Sequence, residues 1–66
     1  MNNRYYRVRI AMNIDRNMTI ATAFEEIFDT PNIYEKRWQG KEYYFIEKTF
    51  ASEAKARSFK KSYDNY

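Results

Sequence analysis

The chain has 66 residues, a formal net charge of +3 and a pI near 9.3, the profile of one small, mildly basic domain. It contains neither cysteine nor histidine, which excludes disulfides, ordinary zinc, haem and iron–sulfur sites, Cys-His and Ser-His nucleophiles, and a histidine switch. No metal or cofactor is therefore expected. A core of this size supports only ~3–5 kcal/mol, so aromatic packing (20% of the residues), self-association or a partner has to supplement it. No run approaches the ~20 apolar residues of a membrane span, and Met1–Tyr5 shows no apolar leader. A cytoplasmic protein without membrane contact is expected. Asn, Lys, Tyr, Ile, Phe and Met, whose codons are A+T-rich, make up half of the chain. That composition looks like a small phage-encoded protein or a product of a low-GC bacterium.

Residues 4–12 alternate. Tyr6, Val8, Ile10 and Met12 fall on one side and Tyr5, Arg7, Arg9 and Ala11 on the other, the pattern of a half-buried strand. Asn13–Asn17 reads as a loop. Thr19 is placed to cap a helix running to about Asp29, with Ile20, Ala23, Phe24, Ile27 and Phe28 at helical spacing and Thr30-Pro31-Asn32 as its stop. Segments 33–39 and 41–49 read as two strands joined by a turn at Gln39-Gly40, where glycine would supply positive φ. Ser52 is the N-cap of a last helix ending near Tyr63, with Ala56, Phe59 and Tyr63 inward and Lys55, Lys60 and Lys61 outward. The expected fold is a single α+β domain over residues 1–66, ordered β-α-β-β-α. A right-handed crossover sets strand one parallel to strand three, and both helices cover one face of a three-stranded sheet.

The other face is the first candidate site. With the turn at Gln39-Gly40, Tyr34 opposes Phe45, Lys36 opposes Tyr43 and Trp38 opposes Lys41 on one face, leaving Ile33, Glu35, Arg37, Tyr44 and Ile46 on the other. Two packings are open. One buries Tyr34, Trp38, Tyr43 and Phe45, the more apolar set. The other buries Ile33, Tyr44 and Ile46 and exposes Tyr43 and Phe45 beside Tyr5, Arg7 and Arg9. Rings flanked by arginines are suited to stacking unpaired bases while neutralising phosphates.

The segment Lys41-Glu42-Tyr43-Tyr44-Phe45-Ile46-Glu47-Lys48 resembles the third-strand octapeptide of the RNA-recognition motif, and Ser52-Glu53-Ala54-Lys55-Ala56 is similar to the start of that family's second helix. The expected element order is that of such a domain truncated before its last strand. The resemblance implies Tyr43 and Phe45 as stacking rings and Lys41 as a phosphate contact. Glu42 stands where the family has glycine, Tyr44 where it has a small residue and Lys48 where it has an aromatic. Gly40-Lys41, Lys48-x-Phe50 and Glu53-Ala54 also resemble the hairpin and helix of integrase arm-binding modules.

Charge is segregated along the chain: basic through residue 18, acidic from 19 to 35 (Glu25, Glu26, Asp29, Glu35), basic again beyond. Arg57, Lys60 and Lys61, with Lys55, give the last helix a face able to meet phosphates, although such runs are usually solvated. Mixed signs on opposite sides suit docking to a protein better than coating a nucleic acid. Glu25 and Glu26, adjacent on a helix, would diverge by ~100° and form no acid pair, and Gly40 alone makes no phosphate loop. The expectation is a non-enzymatic inhibitor or adaptor, of phage type, docking on a host protein through Tyr, Trp and Arg anchors. The alternative is a nucleic-acid-binding module using Arg4, Arg7, Arg9, Tyr43, Phe45 and the basic helix. A second copy covering the open face, to give a homodimer, suits so small a core.

Overall fold

The computed structural model describes residues 4–28 and 33–64. Strands β1 (Arg4–Asn13), β2 (Met18–Phe28), β3 (Glu35–Gln39) and β4 (Tyr43–Phe50) precede one helix, α1 (Glu53–Tyr63). The strands form one sheet in the order β2-β1-β4-β3, and every neighbouring pair is antiparallel. The expected three-stranded sheet with two helices is thus replaced by a four-stranded antiparallel sheet with one helix, and no parallel crossover pair exists among the described residues. The helix stop assigned to Thr30-Pro31-Asn32, and Asp29 before it, lie outside the described residues.

The correction turns on residues 18–28, which form a strand rather than a helix. Thr19, Ile20, Thr22 and Ile27 are β-branched, and Phe24 and Phe28 are aromatic, so strand preference competes with the helical spacing. The loop before them decides in favour of the strand. Asn13 Oδ1 accepts a hydrogen bond from the Arg16 N–H (2.9 Å), and Asn17 takes φ 52°, the left-handed region that asparagine tolerates. This tight reversal lays β2 back along β1 with little closure cost. Arg7 then stands opposite Glu25, and Val8 opposite Phe24. A register irregularity between Ala11 and Met12 absorbs one extra residue of β2.

The second hairpin turns later than expected. The Gly40 N–H donates to the Tyr43 carbonyl (2.8 Å), so Lys41-Glu42 are the turn residues, and Gly40 has no positive φ. Trp38 faces Phe45, not Lys41, and Lys36 faces Glu47, not Tyr43. The Thr49 N–H donates to the Tyr34 carbonyl (2.9 Å), so Tyr34 is not opposite Phe45. This register opposes Lys36 to Glu47 and Glu35 to Lys48 and brings the Trp38 and Phe45 rings together. The slip is an even number of residues, so every side chain keeps its expected face; an odd slip would have inverted the hairpin.

Ser52 caps α1, its hydroxyl accepting from the Lys55 N–H (3.3 Å). The helix crosses from β4 toward β2, where the Thr22 hydroxyl donates to Asp64 Oδ1 (2.6 Å). Its Ala56 is buried against Tyr6, Val8, Ile10 and Ile46 of the sheet, also buried, and Met12, Phe24, Tyr44 and Phe50, with Phe59 and Tyr63 of the helix, surround them. Of the two packings left open by the sequence, the one with Tyr44 and Ile46 inward is adopted, and the one with Tyr34, Trp38, Tyr43 and Phe45 in the core is not. Ile33, expected inward with Tyr44 and Ile46, is instead 59% exposed. The radius of gyration is 12.6 Å against the ~11 Å of a compact chain this long, because a two-layer slab leaves one sheet face bare.

Candidate functional site

The pairing registers define the bare face. Tyr5, Arg7, Arg9 and Ala11 of β1 line up with Thr49, Glu47 and Phe45 of β4, with Glu25, Ala23 and Ala21 of β2, and with Lys36 and Trp38 of β3. Tyr34 joins them, its hydroxyl donating to Glu47 Oε2 (2.8 Å). The face therefore gathers Tyr5, Arg7, Arg9, Tyr34, Lys36, Trp38, Tyr43 and Phe45 from the expected set. Lys41 lies in the adjoining turn. Arg57, Lys60 and Lys61 belong to α1, which packs on the opposite side of the sheet, so the basic helix and the aromatic face are two separate surfaces.

The face has two halves. At the turn end, the Trp38 and Phe45 rings stack at 5.3 Å between centroids and 19° between planes, and Tyr43 tilts against Phe45 at 6.4 Å. Trp38 and Tyr43 are 43% and 41% exposed. The Lys36 ammonium sits 5.6 Å from the Trp38 ring. Beside Phe45 the small side chains of Ala11, Ala21 and Ala23, with Arg9, border a shallow hollow of about 130 Å³. The hairpin turns meet at this end, where the Ile14 N–H donates to the Glu42 carbonyl (2.9 Å).

The other half is ionic, its arginines and carboxylates paired with one another. Arg7 Nη1 lies 2.9 Å from Glu25 Oε1, and Arg9 Nε lies 3.0 Å from Glu47 Oε1. Burial pushes the Glu47 carboxyl up, but hydrogen bonds from Tyr34 and Arg9 and the charges of Arg9 and Arg7 outweigh it, so Glu47 sits below the usual carboxylate range. Between Arg7 and Tyr34, Thr49 is fully buried, and neither its hydroxyl nor Arg7 Nε has a hydrogen-bond partner among the described residues.

Three more of the expected cations are engaged. Arg4 pairs with Glu26 (2.7 Å) and lies over the Phe28 ring (5.5 Å). Arg57 pairs with Glu53 (2.8 Å) and covers Phe24 (4.4 Å), and Lys60 pairs with Asp64 (2.8 Å). Glu25 and Glu47 are the functional neighbours that sequence reasoning missed. Glu47 shares the parity of Tyr43 and Phe45 and was readable from that alternation. Glu25 was hidden by the helix assignment.

Among the described residues no cluster of acidic side chains could hold a metal ion, and no helix is long and apolar enough to cross a membrane. No protein-family model, curated protein or solved structure matches the chain, so the face is read from its own chemistry.

Proposed function

We propose that the chain is a non-enzymatic docking protein, an inhibitor or adaptor of phage type, that binds a partner protein through the aromatic end of its bare sheet face. The observation that supports this reading is the Trp38–Phe45–Tyr43 cluster, with Trp38 and Tyr43 exposed, while Arg7 and Arg9 beside it are already held by carboxylates. A phosphate backbone would have to displace Glu25 and Glu47 from those arginines before gaining their charge. A protein surface with an aromatic-accepting hollow needs no such exchange, since interface energy concentrates in buried Trp and Tyr anchors within a polar rim. The ionic half supplies that rim and rejects partners whose charges clash with it.

Two measurements test the proposal. Titration of labelled single- and double-stranded oligonucleotides at two salt concentrations should show no micromolar binding. Salt-steep binding lost on Arg9→Ala would replace the docking reading with the nucleic-acid one. Capture from bacterial lysate should retain one partner that Trp38→Ala releases, at a cost of about 2 kcal/mol or more. Trp38 is surface-exposed, so this variant should keep its circular-dichroism spectrum.

A further inference from the structure

The two outer edges of the sheet are unlike. β3 is five residues long, and three of them, Glu35, Lys36 and Arg37, are charged. Short, charged strands are how sheets blunt an open edge. β2 is 11 residues long, and its stretch Met18–Phe24 contains no charge, no glycine and no proline. Segments of roughly six or seven residues with strong strand preference and no charge are those that add to another strand. No described strand pairs with the outer side of β2, and Met18, Ile20 and Phe28 along it are 48%, 45% and 54% exposed.

We propose that the outer edge of β2 pairs antiparallel with β2 of a second copy of this chain, making one eight-stranded sheet with both helices on the same side. Three observations select a second copy as the occupant. The uncharged stretch can meet itself about a two-fold axis near Ala21: residues 18–24 of the two copies then run side by side, and no charged side chain lies among them. The edges left after pairing are two copies of β3, short and charged, so the assembly closes at two rather than growing into a fibre. Among the described residues the core holds only five buried apolar side chains, a scale at which association adds needed stability. The bare aromatic faces remain free and lie on the same side of the joined, twisted sheet.

Sedimentation equilibrium of the whole chain through the micromolar range tests this. The mass should rise with concentration from 8.1 kDa to twice that and no further. Ala21→Lys combined with Ala23→Lys, both at exposed positions, should hold the protein monomeric with an unchanged circular-dichroism spectrum. Because the chain has no cysteine, Ala21→Cys gives a reading independent of that variant's folding: mild oxidation should link two copies, whereas Gln39→Cys on the β3 edge should not. A wild-type chain that stays monomeric throughout overturns the proposal. So do a dimer that survives the two lysines and assemblies larger than two.

Discussion

Thr49 is the residue whose surroundings fit it least. It is fully buried, and its hydroxyl has no partner among the described residues. A buried hydroxyl without a hydrogen bond forfeits what it had in water, a cost of about 1–3 kcal/mol. Valine has the same branching, and hence the same strand preference and nearly the same shape, without the polar atom. Thr49→Val should therefore stabilise the fold by roughly 1 kcal/mol, read as a higher urea midpoint at constant m-value. A lower midpoint would mean that the hydroxyl is bonded in solution. Glu47 is the opposite case. It is partly buried yet answered by Arg9 at 3.0 Å and Tyr34 at 2.8 Å. Truncating it would leave both donors unpaired on the face where the partner is proposed to bind.

Among the elements, β2 separates two conformations that the same residues could serve, and a single substitution distinguishes them by sign. Ala23 is exposed, opposite Arg9. In a strand Ala23→Thr should raise stability, by up to about 1 kcal/mol on strand preference; in a helix the same change should lower it by several tenths. Thermal unfolding at low concentration, where self-association does not intrude, decides between them. The alternation of β1 and the Ser52 cap of α1 were readable because each is written in neighbouring residues, a period of two in the first and a hydroxyl three residues before the N–H it caps in the second. β2 was not, because Ile20, Ala23, Phe24, Ile27 and Phe28 satisfy helical spacing, and the strand is selected by its partner β1, through Arg7 opposite Glu25 and the turn at Asn17. The bare face was half-legible. Its membership of Tyr5, Arg7, Arg9, Trp38, Tyr43 and Phe45 follows from alternation and survived a misplaced turn, since the slip was even. The neutralising role of Glu25 was out of reach, because it depends on a pairing of residues distant in sequence.

At the scale of the whole molecule, a thin core makes the ion pairs visible in the response to acid. The chain has no histidine, so little should titrate between pH 6 and 8. Three carboxylates sit below their ordinary values. Hydrogen bonds from Arg37 and Lys48 lower Glu35; those from Lys60 and Thr22 lower Asp64; for Glu47, the bonds from Tyr34 and Arg9 overcome burial. A carboxyl that binds its proton less readily when folded contributes stability that is complete above its unfolded value, 4.5 for Glu and 3.8 for Asp, and is lost as pH falls through the lower folded value. The thermal midpoint should accordingly be flat from pH 8 to 6 and then fall, most steeply below pH 4.5. Glu47→Gln keeps an acceptor for one neighbour but removes the titrating charge. Its midpoint should start lower at neutral pH and lose less on acidification, so that the two profiles converge in acid. Parallel profiles would show that Glu47 contributes shape rather than charge, leaving Arg9 without an electrostatic hold and free to meet phosphate; the docking proposal would then lose its main support.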